Sequence, residues 1–108
     1  MEIGYTKIFK KHLRKLSKRY RSIYSDLEPV VDELKTGVLI GDRVKGLDDI
    51  VYKVRVKNSD NQKGKSGGYR VIYYLKTTDE VRLMAMYSKS DQENMSEDSL
   101  RRILLLTD

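Results

Sequence analysis

Lys53, Arg55 and Lys57 recur at every second position, and Arg70 stands two residues beyond the polar stretch Gly64-Lys65-Ser66-Gly67-Gly68. Cations at alternate positions of a strand share one face and form a fixed positive surface. Such a surface suits a polyanion, above all a phosphodiester backbone. Lys and Arg can clamp a scissile phosphate and stabilise the charge that builds on it in the transition state. In RNA the nucleophile, the 2′-hydroxyl, belongs to the substrate. A protein then needs only to align it, accept its proton and neutralise the phosphate. The same pattern also describes an ordinary solvated sheet face, where Lys and Arg discourage edge-to-edge association.

Other chemistries find little support. There is no cysteine, so disulfides and thiolate metal sites are excluded. The only histidine, His12, sits among lysines of a helical segment, and the expectation there is an exposed polar residue. No Ser/His/Asp or Cys/His set can be built on ordinary terms, and no cluster suggests zinc. Gly64 to Gly68 lacks the upstream glycine of a phosphate-binding loop and leads into a strand instead of a helix. The Gly67-Gly68 pair is expected to let the backbone turn into the strand that carries Arg70. The Asp residues between Val38 and Asp49 have turn chemistry, not metal-ligand spacing. No cofactor is expected.

The cations need a sheet and something to cover it. Tyr52, Val54 and Val56 alternate with Lys53, Arg55 and Lys57; Tyr69, Val71, Tyr73 and Leu75 alternate with Arg70, Ile72, Tyr74 and Lys76. If these strands pair with apolar faces aligned, Arg70 joins the side of Lys53, Arg55 and Lys57. Val81 to Ser88 alternates likewise, so strands over about 50–57, 69–76 and 81–88 predict an antiparallel meander. Phe9, Leu13, Leu16 and Tyr20 have helical spacing behind Thr6 as N-cap. A second helix is expected over about 22–35, with Pro29 either kinking it or marking a restart capped by Ser25 and Glu28. Residues 38–49 read as a connector. Ser96 caps a last helix running to about Leu105, whose leucines are expected to pack on the sheet edge. A short strand is expected over 1–5. The predicted class is α+β: two N-terminal helices on a three- to four-stranded antiparallel sheet, with a C-terminal helix. The 108 residues suffice for one domain, 1–108.

The net charge of +6 is segregated. Residues 1–21 hold eight basic residues against one acidic, and residues 53–76 hold seven against one. Residues 22–52 and 77–108 are acidic overall. Segregation of this kind favours an anionic partner, with nucleic acid first and anionic lipid weaker. No apolar run approaches the roughly 20 residues needed to span a bilayer. The first residues lack the apolar core of a signal peptide, and a cytoplasmic protein is expected.

Three runs carry a family likeness: 52–56, then Lys63 through Tyr74, then Tyr87-Ser88-Lys89-Ser90-Asp91. Together they resemble the RelE/ParE superfamily of bacterial toxins, nearest the RelE/HigB-like branch, over nearly the whole chain. Gly64-Lys65-Ser66-Gly67-Gly68-Tyr69-Arg70 is the most specific part. The resemblance implies the toxin of a type II toxin–antitoxin system. It would be a metal-independent endoribonuclease that cleaves mRNA, in many members on the ribosome, with an antitoxin as partner. The antitoxin is expected to cover the basic face or the helix pair.

Carried over by position, Lys53 and Arg55 match the basic pair of the first strand, Arg70 the phosphate-contacting arginine, and Lys89 a basic site after the last strand. The roles implied are proton removal from the 2′-hydroxyl by Lys53, which would require its pKa to fall. Phosphate is held by Arg55, phosphorane charge is stabilised by Arg70, and Lys89 assists the leaving 5′-oxygen. The remaining hairpin residues Lys57, Lys63, Lys65, Tyr74 and Lys76 are the expected RNA contacts. The chain departs from some relatives in having Ser90 and Ser96 where an arginine and a tyrosine stand. Tyr87 and Tyr74 are the available substitutes, and strand packing explains both equally. Two competing readings share the fold or the charge: a ParE-like poison that binds DNA gyrase without catalysis, and a plain RNA-binding module.

Overall fold

A computed structural model describes residues 1–61 and 67–107. Eight elements follow in order: β1 (Glu2–Tyr5), α1 (Lys7–Ser17), α2 (Ile23–Lys35), β2 (Asp42–Arg43), β3 (Val51–Val56), β4 (Tyr69–Thr77), β5 (Glu80–Ser88) and α3 (Glu97–Leu106). The class is α+β, with the expected meander β3–β4–β5 at the centre of the sheet. The sheet is wider than that meander. Its order is β1-β5-β4-β3-β2, with β1 parallel to β5. The connector over 38–49 contributes β2, whose Asp42 and Arg43 oppose Lys53 and Tyr52. A two-residue strand is too short to show alternation, so it reads as loop.

Alternation fixes the faces. Val54, Val56, Tyr69, Val71 and Tyr73 are buried against Phe9 and Leu16 of α1 and Ile23, Leu27, Val30 and Leu34 of α2. Helix α2 is continuous despite Pro29, so neither the restart at Ser25 nor a second helix start is present. Its stripe of Ile23, Leu27, Val30 and Leu34 is buried along the full length, and this packing outweighs the backbone hydrogen bond that proline removes. The opposite sheet face is covered only in part. Leu100 and Ile103 of α3 pack on Val51, Ile72 and Tyr74, so α3 lies on a face and not at the expected edge. Leu105 and Leu106 remain exposed.

Helix α1 also closes an edge. β1 ends at Tyr5 opposite Leu83, leaving the rest of β5 without a strand on that side. The Thr6 hydroxyl accepts from the Phe9 N–H and donates to the Met84 carbonyl. His12 Nδ1 accepts the Met86 N–H at 3.2 Å. His12 is therefore a half-buried bracket and not the solvent-exposed residue expected from its neighbours. The bond fixes the ring proton on Nε2.

Burial lowers the His12 pKa from 6.5, and Lys11 and Lys15 lower it further. Lys15, Arg19 and Asp91 line the cleft on one side of the ring, and Arg102 lines the other. A pKa depressed on folding adds stability that is present above 6.5 and is lost as pH falls through the folded value. His12→Ala is expected to cost about 1–3 kcal/mol, the cost of a buried donor left unsatisfied. His12→Gln keeps an acceptor in reach of Met86 and should flatten the pH dependence below 6.5. Urea unfolding of the three proteins across that range measures both effects. Equal pH slopes in all three would remove His12 from the account.

Candidate functional site

The β3–β4 register sets Arg55 directly opposite Arg70, and the β4–β5 register sets Arg70 directly opposite Tyr87. Directly opposed residues of antiparallel strands point to the same side. One row thus crosses three strands on the face that α3 partly covers: Arg55, Arg70, Tyr87. Lys53 lies two residues along β3, opposite Ile72, where the open face meets the cover of α3. Lys89 follows β5, and its N–H donates to the Gly68 carbonyl at 2.8 Å, which continues the pairing past Ser88. Lys53, Arg55, Arg70 and Lys89 therefore border one surface.

The burial of these groups differs. Arg70 is 7% exposed, and its Nη1 donates to the Tyr69 carbonyl at 3.2 Å. Arg55 is exposed. Arg55 and Arg70 are directly opposed across the paired strands, which places two cations side by side. Tyr87 is buried to 4% exposure. Burial raises its pKa, and the Arg70 charge acts in the other direction. The Tyr87 hydroxyl donates to Asn94 Oδ1 at 3.5 Å, and Lys53 Nζ donates to the same oxygen at 3.1 Å. Asn94 thus joins β3 and β5 across the face. Sequence reasoning missed it, because a loop asparagine has no periodicity to announce it.

The two candidate tyrosines separate. Tyr74 lies beneath α3 with its hydroxyl 3.3 Å from Thr107 Oγ1, so its ring offers no surface for a base. Tyr87 stands beside Arg70. Of the other expected RNA contacts, Lys57 is exposed just past β3. Lys76 is six residues along β4 from Arg70, about 20 Å away at strand spacing, and does not join the cluster. Lys63 and Lys65 lie outside the described residues.

Two clamps hold the far end of β3. The Ser59 N–H and hydroxyl donate to the Asp26 carboxylate, and the Ser22 N–H and hydroxyl donate to the Asp60 carboxylate. The chain leaving Lys57 is thereby tied to the start of α2.

Gly68 holds the return strand close. A Cβ there would sit 2.1 Å from the Val56 carbonyl oxygen. The expected need for glycine before Arg70 is real, but its cause is close approach of the two backbones. Gly68→Ala is expected to destabilise by about 1–3 kcal/mol, as overpacking does, and to displace the Arg55–Arg70 row. Thermal unfolding of this variant beside the unsubstituted protein tests it. Equal midpoints would contradict it.

A groove of about 550 Å³ lies between α2 and β3, lined by Asp26, Pro29, Glu33, Arg55 and Lys57. Its lining is of mixed charge, with Asp26, Glu33 and Asp42 beside Lys53, Arg55 and Lys57, and neither Arg70 nor Lys89 is part of it. Among the described residues no group of His, Cys, Asp or Glu could hold a metal ion, and no helix is long and apolar enough to cross a membrane. A protein-family model described as the RelE toxin of the RelE / RelB toxin-antitoxin system matches residues 6–107. No curated protein matches the chain.

Proposed function

The chain belongs to the RelE family of toxins, whose partner is an antitoxin, and we propose that it acts as an endoribonuclease on mRNA engaged by the ribosome. The observation that carries this reading is the cross-strand row of Arg55, Arg70 and Tyr87 with Lys53 at one side and Lys89 at the other.

In the proposed reaction the 2′-oxygen attacks the adjacent phosphorus in line, and the bond to the 5′-oxygen breaks. Lys53 takes the 2′-hydroxyl proton. Arg55 holds a phosphate oxygen. Arg70 presents a planar fork to the phosphorane, where negative charge grows most. The leaving 5′-oxygen takes a proton on the side of Lys89. Tyr87, beside Arg70, takes the place of the tyrosine that Ser96 replaces. The products are a 2′,3′-cyclic phosphate and a 5′-hydroxyl. The ribosome is expected to supply the alignment of the RNA that a shallow face cannot.

Brief induction of the chain in cells, with mRNA 5′ ends mapped beside Arg70→Ala, tests the reading. Cuts at a fixed codon phase within translated regions, absent in the variant, support it. Intact mRNA with growth arrest and DNA damage overturns it in favour of gyrase poisoning.

A further inference from the structure

We propose that the loop between β5 and α3 fills the cationic face with its own oxygen atoms, as a stand-in that an RNA phosphodiester must displace. The inference rests on the ribonuclease reading above and adds a self-occupied state to it.

The loop is anchored at both ends. Near its start Arg19 Nη1 bonds the Asp91 carboxylate at 2.7 Å, and the Arg19 guanidinium lies 4.9 Å from the centre of the Tyr20 ring. At its end the Ser96 hydroxyl accepts the Ser99 N–H and caps α3. Between these anchors three oxygens turn toward the site. Asn94 Oδ1 accepts from Lys53 Nζ and the Tyr87 hydroxyl. The Glu93 carbonyl accepts from Lys89 Nζ at 2.7 Å, and the Glu93 carboxylate from the same ammonium at 3.3 Å. Gln92 Nε2 donates to the Asn94 carbonyl at 3.0 Å and stiffens the crossing.

Lys53 and Lys89 are the groups to which the mechanism assigns the two oxygens that exchange protons, and Tyr87 shares the acceptor of Lys53. Each already has a loop oxygen as acceptor. Two of those acceptors are neutral, and the charged one is weakly held: the Glu93 side chain is 92% exposed. Exposed ion pairs of this kind add little. A phosphodiester brings a full negative charge to the same donors, so it outcompetes the loop once other contacts bring it near. In its absence the loop keeps the Lys53 and Lys89 side-chain nitrogens oriented and partnered. Such a loop raises the affinity threshold for stray RNA and leaves ribosome-aligned RNA able to pass it.

The test uses the full chain with Glu93→Ala and Asn94→Ala combined. The first readout needs no RNA: the rate of reductive methylation of Lys53 and Lys89, read by mass spectrometry, with Lys76 as reference. The Lys53 rate should rise relative to Lys76 in the double variant, while Lys89, which keeps the Glu93 carbonyl, should change less; an unchanged Lys53 rate overturns the proposal. The second readout is binding of a fluorescent 2′-fluoro RNA oligonucleotide, which lacks the nucleophile. The double variant should bind about twofold to fivefold tighter, the factor that exposed contacts of this strength leave on an affinity. Equal or weaker binding by the double variant, with wild type still binding the oligonucleotide, overturns the loop as competitor and leaves the nuclease reading standing. No binding by either protein removes RNA as the displacing ligand and counts against the nuclease reading itself.

Discussion

Arg70→Ala is expected to lower the cleavage rate by about 10²- to 10³-fold, or about 2.7–4 kcal/mol, the loss typical of removing one donor aimed at developing oxyanion charge. The reasoning begins with position. Arg70 is the central residue of the row, with Arg55 opposite on one side and Tyr87 on the other. It is also nearly buried, so its guanidinium is held by the sheet and needs little reorganisation when charge develops. Arg55 and the lysines are more exposed, and solvent screens them more. Arg70 is nearly buried, so its loss also removes packing, and circular dichroism and a thermal scan establish that the variant is folded before rates are compared. Arg70→Lys keeps the charge and loses the fork, so it should recover part of the rate. Single-turnover cleavage of ribosome-bound mRNA gives all three rates. Full activity in a folded Arg70→Ala protein would remove Arg70 from the mechanism.

Lys53→Gln is expected to slow cleavage by about 10²- to 10⁴-fold, the range that a positioned general acid–base group supplies. Glutamine keeps a donor that can reach Asn94 Oδ1, so the loop contact survives while the proton acceptor is lost. The effect should fall on the chemical step and leave RNA binding nearly intact. Lys89→Gln separates the two ends of the reaction. A substrate whose leaving 5′-oxygen is replaced by sulfur needs no protonation at that atom. It should restore the rate of Lys89→Gln and leave Lys53→Gln slow. Equal rescue of both variants would reverse or abolish the assignment of roles.

Much of this site was legible from alternation. The period of two in β3 and β4 put Lys53, Arg55 and Arg70 on one face, and the register of the two strands bears that grouping out. Period alone does not say what covers a face. Tyr74 and Arg70 share a side of β4 and are both nearly buried, yet only the tyrosine joins the apolar cluster under α3. That outcome depends on where the last helix docks, which its own leucines do not encode. The parallel pairing of β1 is equally hidden, because four residues can serve any edge. His12 and Asn94 were missed for a related reason. Both act through hydrogen bonds to residues far along the chain, and a single side chain among lysines or in a polar loop carries no pattern.

The measurement that tests the central claim most directly is the chemistry of the cut ends. Ribosome-bound mRNA incubated with the purified chain should yield fragments ending in a 2′,3′-cyclic phosphate, each paired with a 5′-hydroxyl. A single 2′-deoxy sugar at the cut position should abolish that cut and no other. Fragments carrying a 3′-hydroxyl and a 5′-phosphate, or cleavage that survives the 2′-deoxy sugar, would contradict an attack by the substrate's own hydroxyl on the face formed by Lys53, Arg55, Arg70 and Lys89.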